Sequence, residues 1–111
     1  MNLFRMFLVV FVIALTGYTL VTTSNHGWNL FPFFFGDMKA MGWAGQFNFD
    51  FTGFLALSAI WTAWRNQFTA QGLGLAVVAF FGGMMFLSLY LLYLSFQCEG
   101  SVQKMLLGNR V

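Results

Sequence analysis

Residues 3–21, LFRMFLVVFVIALTGYTLV, and residues 73–96, LGLAVVAFFGGMMFLSLYLLYLSF, carry one charge between them, Arg5. A helix rises ~1.5 Å per residue, so each run is long enough for a hydrocarbon core ~30 Å thick. A third run, residues 47–64, is slightly shorter and holds one carboxylate, Asp50, near its start. Together they predict an all-α membrane protein of one domain over residues 1–111, with three transmembrane helices at about 3–22, 48–65 and 72–96.

The composition agrees. The chain is 59% hydrophobic and only 7% charged, where a soluble domain carries roughly a quarter charged residues. The net charge of +2 comes from scattered residues with no basic run, which excludes the electrostatic footprint nucleic acid requires. Cys98 is the single cysteine, so an internal disulfide and a paired-cysteine metal site are both excluded. The first run starts like a signal peptide, but it exceeds the usual ~7–15 apolar residues and reads as a retained anchor.

Residues 24–46 make an unusual connection: Gly27-Trp28-Asn29-Leu30-Phe31-Pro32-Phe33-Phe34-Phe35-Gly36-Asp37, then 38–46. Pro32 and the glycines break any long helix, while the aromatic density is too high for a solvated loop. The segment therefore reads as lying in the headgroup region with a short helix. Asn48 is read as the cap of the next helix, which places Asp50 in a first turn favourable to a carboxylate. Trp61, Trp64 and Arg65 anchor the far end of that helix. A short amphipathic tail, 97–111, closes the chain.

Three crossings put the N-terminus and Arg65 on one side (side A), and the 24–46 connection and the tail on the other (side B). Arg5 and Arg65, tight against helix ends, favour a cytoplasmic side A by the positive-inside rule. In this arrangement Tyr90, Tyr93 and Glu99 would share the side B level with Asp50 and His26.

Asp50 is the sharpest polar candidate, because an ionisable group in a membrane segment is a functional-site hypothesis by default; the alternative is a simple helix-start carboxylate. His26, the one histidine, fits a hydrogen-bonding loop residue better than a metal ligand, and no metal ligand set is expected. Tyr90 could reach Asp50 across the bundle or face the headgroups. Gly72, Ala76, Ala79 and Gly83 recur at steps of four, three and four, a small face that permits close helix contact. Ala56, Ala59 and Ala63 offer a matching stripe.

From residue 46 onward the pattern resembles a family of small bacterial three-helix integral membrane proteins of unknown function that has plant relatives. The likeness rests on Phe49-Asp50-Phe51-Thr52-Gly53-Phe54, on Trp61-Thr62-Ala63-Trp64-Arg65, on Tyr90-Leu91-Leu92, and on the tail Lys104-Met105-Leu106-Leu107-Gly108-Asn109-Arg110. It implies the bacterial inner membrane and no particular activity. A fainter likeness, to short proteins grouped near integral-membrane terpene cyclases, rests on His26-Gly27 and Asp50.

Two functions compete. The first is an accessory or structural subunit packed against other subunits of a larger, energy-transducing membrane complex, with Phe31, Phe33, Phe34 and Phe35 facing the partner or lipid. The second is a membrane enzyme acting on an isoprenoid, or a lipid or quinone binder, using a pocket near Asp50. The partners expected are the bilayer and other membrane subunits. No cofactor is expected, although a lipid, quinone or pigment would suit such a pocket.

Overall fold

The computed structural model describes residues 1–110, and the described residues are almost wholly helical. The order is α1 (Asn2–His26), α2 (Phe31–Ala40), α3 (Trp43–Arg65), α4 (Ala70–Gln97) and α5 (Val102–Leu107), followed by a 3-10 turn, Gly108–Arg110. Two of these helices, α1 and α4, are long and apolar enough to cross a membrane by length and composition.

α1 stops at Gly27, whose φ of 85° suits a residue without Cβ and whose N–H closes on the Thr23 carbonyl at 2.8 Å. The Asn29 side chain accepts from Phe31 N–H at 3.2 Å, and Pro32, in the first turn of α2, has no N–H to satisfy. The aromatic connection thus contains the short helix expected of it. α2 crosses α3 at Gly45, where an added Cβ would lie 2.7 Å from Met38 Cα.

α3 begins five residues earlier than Asn48. Gly42 occupies the cap position, and the Asn48 side chain instead donates to the Phe34 carbonyl at 3.1 Å, tying α2 to α3. Asp50 is consequently the eighth residue of α3, beyond the first turn where a helix dipole favours a carboxylate.

The largest departure from expectation is in α4. Gly83 has φ 57° and ψ −139°, a conformation outside the helix and one that L side chains avoid. A straight helix would separate Gly72 from Tyr90 by ~27 Å. Asn66 nevertheless touches both: its Cβ lies 2.6 Å from where a Cβ on Gly72 would sit, and its Nδ2 donates to Tyr90 Oη at 3.0 Å. The helix therefore folds back sharply at Gly83 into two arms, 70–82 and 84–97. Phe51 and Leu55, midway along α3, sit against the break.

The second arm runs back parallel to α3 and antiparallel to α1. Thr16 donates to Met85 Sδ at 3.8 Å, and Arg5 reaches Ser95 ten residues further on. One end of the bundle, end A, therefore gathers the N-terminus, Arg65, the start of α4, the end of α4 and the tail. End B holds α2 and its flanks. Tyr90, Tyr93, Glu99 and the tail belong to end A, not to the level of Asp50. The cause is the Gly82-Gly83 pair inside a run that composition alone reads as one continuous helix.

The interior is thin. Leu8, Ala63, Ala79, Leu94 and Met105 are the buried hydrophobic residues, with Thr62, Ser88 and Ser95 buried beside them. Along α1, only Leu8 is buried.

Candidate functional site

End A is held together by arginines. Arg5 donates from Nε to Ser95 Oγ at 2.9 Å and from Nη2 to the Ser95 carbonyl at 2.8 Å, with its guanidinium 4.0 Å from the Phe96 ring centre. Arg65, at the end of α3, gathers the tail. Its Nε donates to the Met105 carbonyl, Nη2 to the Lys104 carbonyl at 3.2 Å and to Cys98 Sγ at 3.9 Å, and Nη1 to Tyr90 Oη at 3.4 Å. Arg110 Nε donates to the Trp64 carbonyl at 2.8 Å, and its guanidinium lies 4.6 Å from the Trp64 ring centre. Trp61 Nε1 donates to the Leu106 carbonyl at 3.0 Å.

These partners answer a specific need. A helix leaves its last carbonyls unpaired, and α5 is too short to be stable alone. Arg65 and Trp61 satisfy three carbonyls of α5 at once, which fixes the tail against α3. At the end of α4, Glu99 at φ 53° and Gly100 at φ 78° form a left-handed turn, and Gly100 N–H bonds to the Ser95 carbonyl at 2.9 Å. That turn directs the chain back over end A.

Two spaces adjoin this network. A polar cavity of about 510 Å³ is lined by Arg65, Gln97, Cys98, Glu99, Lys104 and Asn109, with Gly108. An apolar groove of about 590 Å³ runs from Trp61 and Leu106 toward Gly83, walled by Phe51, Leu55, Leu57 and Leu91. Ser58 is the one polar residue along it.

The residues singled out from the sequence are dispersed. Asp50 lines a third space of about 670 Å³ at end B, between the α2–α3 turn and Phe49, and is itself exposed. His26 is exposed at the end of α1, its ring edge-on to Phe33 at 5.8 Å. Tyr90 lies at end A, stacked on Phe86 at 5.3 Å and bonded to Asn66. Tyr90 packs on Trp61, eleven residues and ~16 Å along α3 from Asp50. The three do not converge on one site.

Phe31, Phe33 and Phe35 are each more than half exposed, and Phe34 is half-buried. Phe31 stacks on Phe35 at 6.2 Å. In the small-residue stripe, Gly72 and Ala79 are buried and Ala76 is half-buried, but Gly83 is the break rather than a position on a continuous helix face.

Sequence reasoning treated Arg65 as an anchor and missed its role as the hub of the tail. The signal available was its place: it is the one cation between residues 40 and 103. No family model, characterised protein or solved structure matches this chain.

Proposed function

We propose that this chain is an integral membrane protein that works by lateral association, as an accessory subunit of a larger membrane complex. The observation that carries the reading is α1: 25 residues, with a run from Leu3 to Val21 in which Arg5 is the one charge, and with one residue buried. Leu3, Ile13 and Val21 are each more than 60% exposed. Soluble monomers rarely expose contiguous apolar patches beyond a few hundred Å². Such a surface needs lipid or another subunit against it.

In this reading α1 and α3 cross the bilayer, and α4 enters from end A and returns there. That replaces the three full crossings expected from hydropathy. At the break Gly83 packs on Phe51 and Leu55, so the irregular backbone lies against α3, and non-helical backbone at membrane depth is tolerated where it is covered by protein. Arg5, Arg65, Lys104 and Arg110 then share end A with Glu99, while end B has Lys39 with Asp37 and Asp50. Four cations against one make end A the cytoplasmic side. The bacterial inner membrane, like the energy-transducing setting, rests on the family resemblance and the composition alone.

The dispersal of Asp50, His26 and Tyr90 supports association ahead of isoprenoid chemistry, which needs an acid and an assisting group within hydrogen-bond reach of one substrate atom. Phe31, Phe33 and Phe35 at end B form the partner-facing surface. Lateral contacts in lipid depend on packing rather than hydrophobic drive, and aromatic rings supply large contact area.

Extraction in mild detergent followed by native mass spectrometry tests this. The expected outcome is a larger assembly that weakens when Phe33, Phe34 and Phe35 are replaced by Ala and persists in Asp50→Asn. A chain that purifies alone and turns over an isoprenoid in an Asp50-dependent manner would replace the subunit reading with the enzyme reading.

A further inference from the structure

We propose that end A holds one anionic phospholipid of the adjacent leaflet, its phosphate in the cavity beside Arg65 and Lys104 and its hydrocarbon in the groove that leads to Gly83. The inference rests on the membrane reading above, but it concerns the opposite end of the molecule from Asp50 and from the phenylalanine surface.

Charge is the first argument. All four hydrogen bonds of the half-buried Arg65 go to uncharged acceptors: two carbonyls, a hydroxyl and a thiol. The cavity it lines also takes Lys104, Gln97 and Asn109, with Glu99 as the one carboxylate. The lining is therefore net positive and supplies amide donors, the chemistry that receives a phosphate. Arg5 and Arg110 add positive potential at the same end.

Depth is the second. From Trp61 to Phe51 the groove follows ten residues of α3, ~15 Å, which is half of a ~30 Å hydrocarbon core. It ends where α4 turns, against Phe51 and Leu55. Arg65 lies one helical turn beyond Trp61, at headgroup level, and Lys104 and Leu106 of α5 line the cavity and the groove respectively. The two spaces share no lining residue, but along α3 the polar cavity at Arg65 lies on the headgroup side of the apolar groove, and α5 borders both, the order in which a phospholipid presents its own parts.

The test uses the full chain, delipidated in an uncharged detergent and titrated with phosphatidylglycerol, with phosphatidylcholine of the same chains, with glycerol phosphate and with inorganic phosphate, binding being read by native mass spectrometry. Phosphatidylglycerol is expected to bind at least about tenfold more tightly than phosphatidylcholine. Each neutralised cation near a membrane surface is worth about a fivefold change. Lys104→Gln, whose exposed side chain makes no contact needed by the fold, should weaken phosphatidylglycerol by about that factor. Glu99→Gln should strengthen it by a similar factor, an effect opposite in sign that misfolding does not produce. Leu57→Trp, which fills the groove, should weaken both lipids.

Equal affinity for the two lipids, or no response to Lys104→Gln and Glu99→Gln, overturns the proposal. Inorganic phosphate or glycerol phosphate binding as tightly as the lipid also overturns it, because the site would then serve a free phosphate. A chain that stays dispersed in water without detergent or lipid rejects the membrane reading itself, whereas insertion into phosphatidylcholine without lipid preference rejects only this inference.

Discussion

At the residue scale, Tyr90 and Ser88 sit on the same arm of α4 and predict opposite behaviour. Tyr90 Oη accepts from Asn66 Nδ2 at 3.0 Å and from Arg65 Nη1 at 3.4 Å. Tyr90→Phe keeps the ring packing on Phe86 and Trp61 but removes the acceptor from two donors. The expected loss is about 1–3 kcal/mol, the cost of an unsatisfied partly buried group, read as a lower melting temperature in detergent. Ser88 Oγ is fully buried and has no hydrogen-bond partner. Ser88→Ala deletes an unpaired polar atom at almost the same volume. That variant should melt at the wild-type temperature or slightly above, and a marked loss would show that Ser88 has a partner in the working assembly.

At the element scale, the two decisive positions are glycines for different reasons. Gly83 permits the fold-back through its φ of 57° and leaves room for Phe51 Cζ and Leu55 Cδ2, which would lie 3.3 and 3.4 Å from an added Cβ. Gly83→Ala combines that contact with a backbone conformation that side chains avoid, so it should cost about 1–3 kcal/mol. Gly83→Leu should prevent normal accumulation. Gly45 is helical and permits close approach instead: a Cβ there would meet the backbone at Asp37 and Met38. Gly45→Ala should loosen α2 from α3, costing about 1–3 kcal/mol by overpacking. Protease accessibility around residues 36–42 should rise in that variant while the end A network stays intact, which a melting curve and limited digestion together would report.

At the scale of the whole molecule, the fold-back decides topology. In the proposed arrangement, with one full crossing in α1 and one in α3, Asn2, Thr69 and Asn109 would lie on one side and Asp37 on the other. Single cysteines at those positions, in a Cys98→Ser background, should label accordingly with an impermeant reagent in intact cells or sealed vesicles. Asn109 labelling together with Asp37 would mean that α4 traverses, and it would remove the shared cationic end on which the cytoplasmic assignment of end A depends.

Helix type was legible from local information because it follows from run length, apolar content and stop signals. The runs at 3–21 and 73–96 mark helices whatever surrounds them, and Pro32 with its flanking aromatics announced a short helix between longer ones. Asp50 was misplaced relative to its helix start because Asn48 carries two compatible chemistries: it caps a helix when the helix begins there, and it binds a neighbouring carbonyl when it does not. Only the proximity of α2 selects the second. In the same way, Gly82-Gly83 inside an apolar run is compatible with a close helix contact and with a reversal, since the intrinsic cost of glycine in a helix is only ~1 kcal/mol. The contacts that select the reversal join residues far apart in the chain, Asn66 with Tyr90, Arg5 with Ser95 and Arg65 with the tail. A periodicity or a composition sums neighbours along the chain, so it settles that this protein is helical and apolar. Which ends meet, and therefore where its charges gather and which cavities open beside them, depends on pairings between those distant residues that only the packed molecule decides.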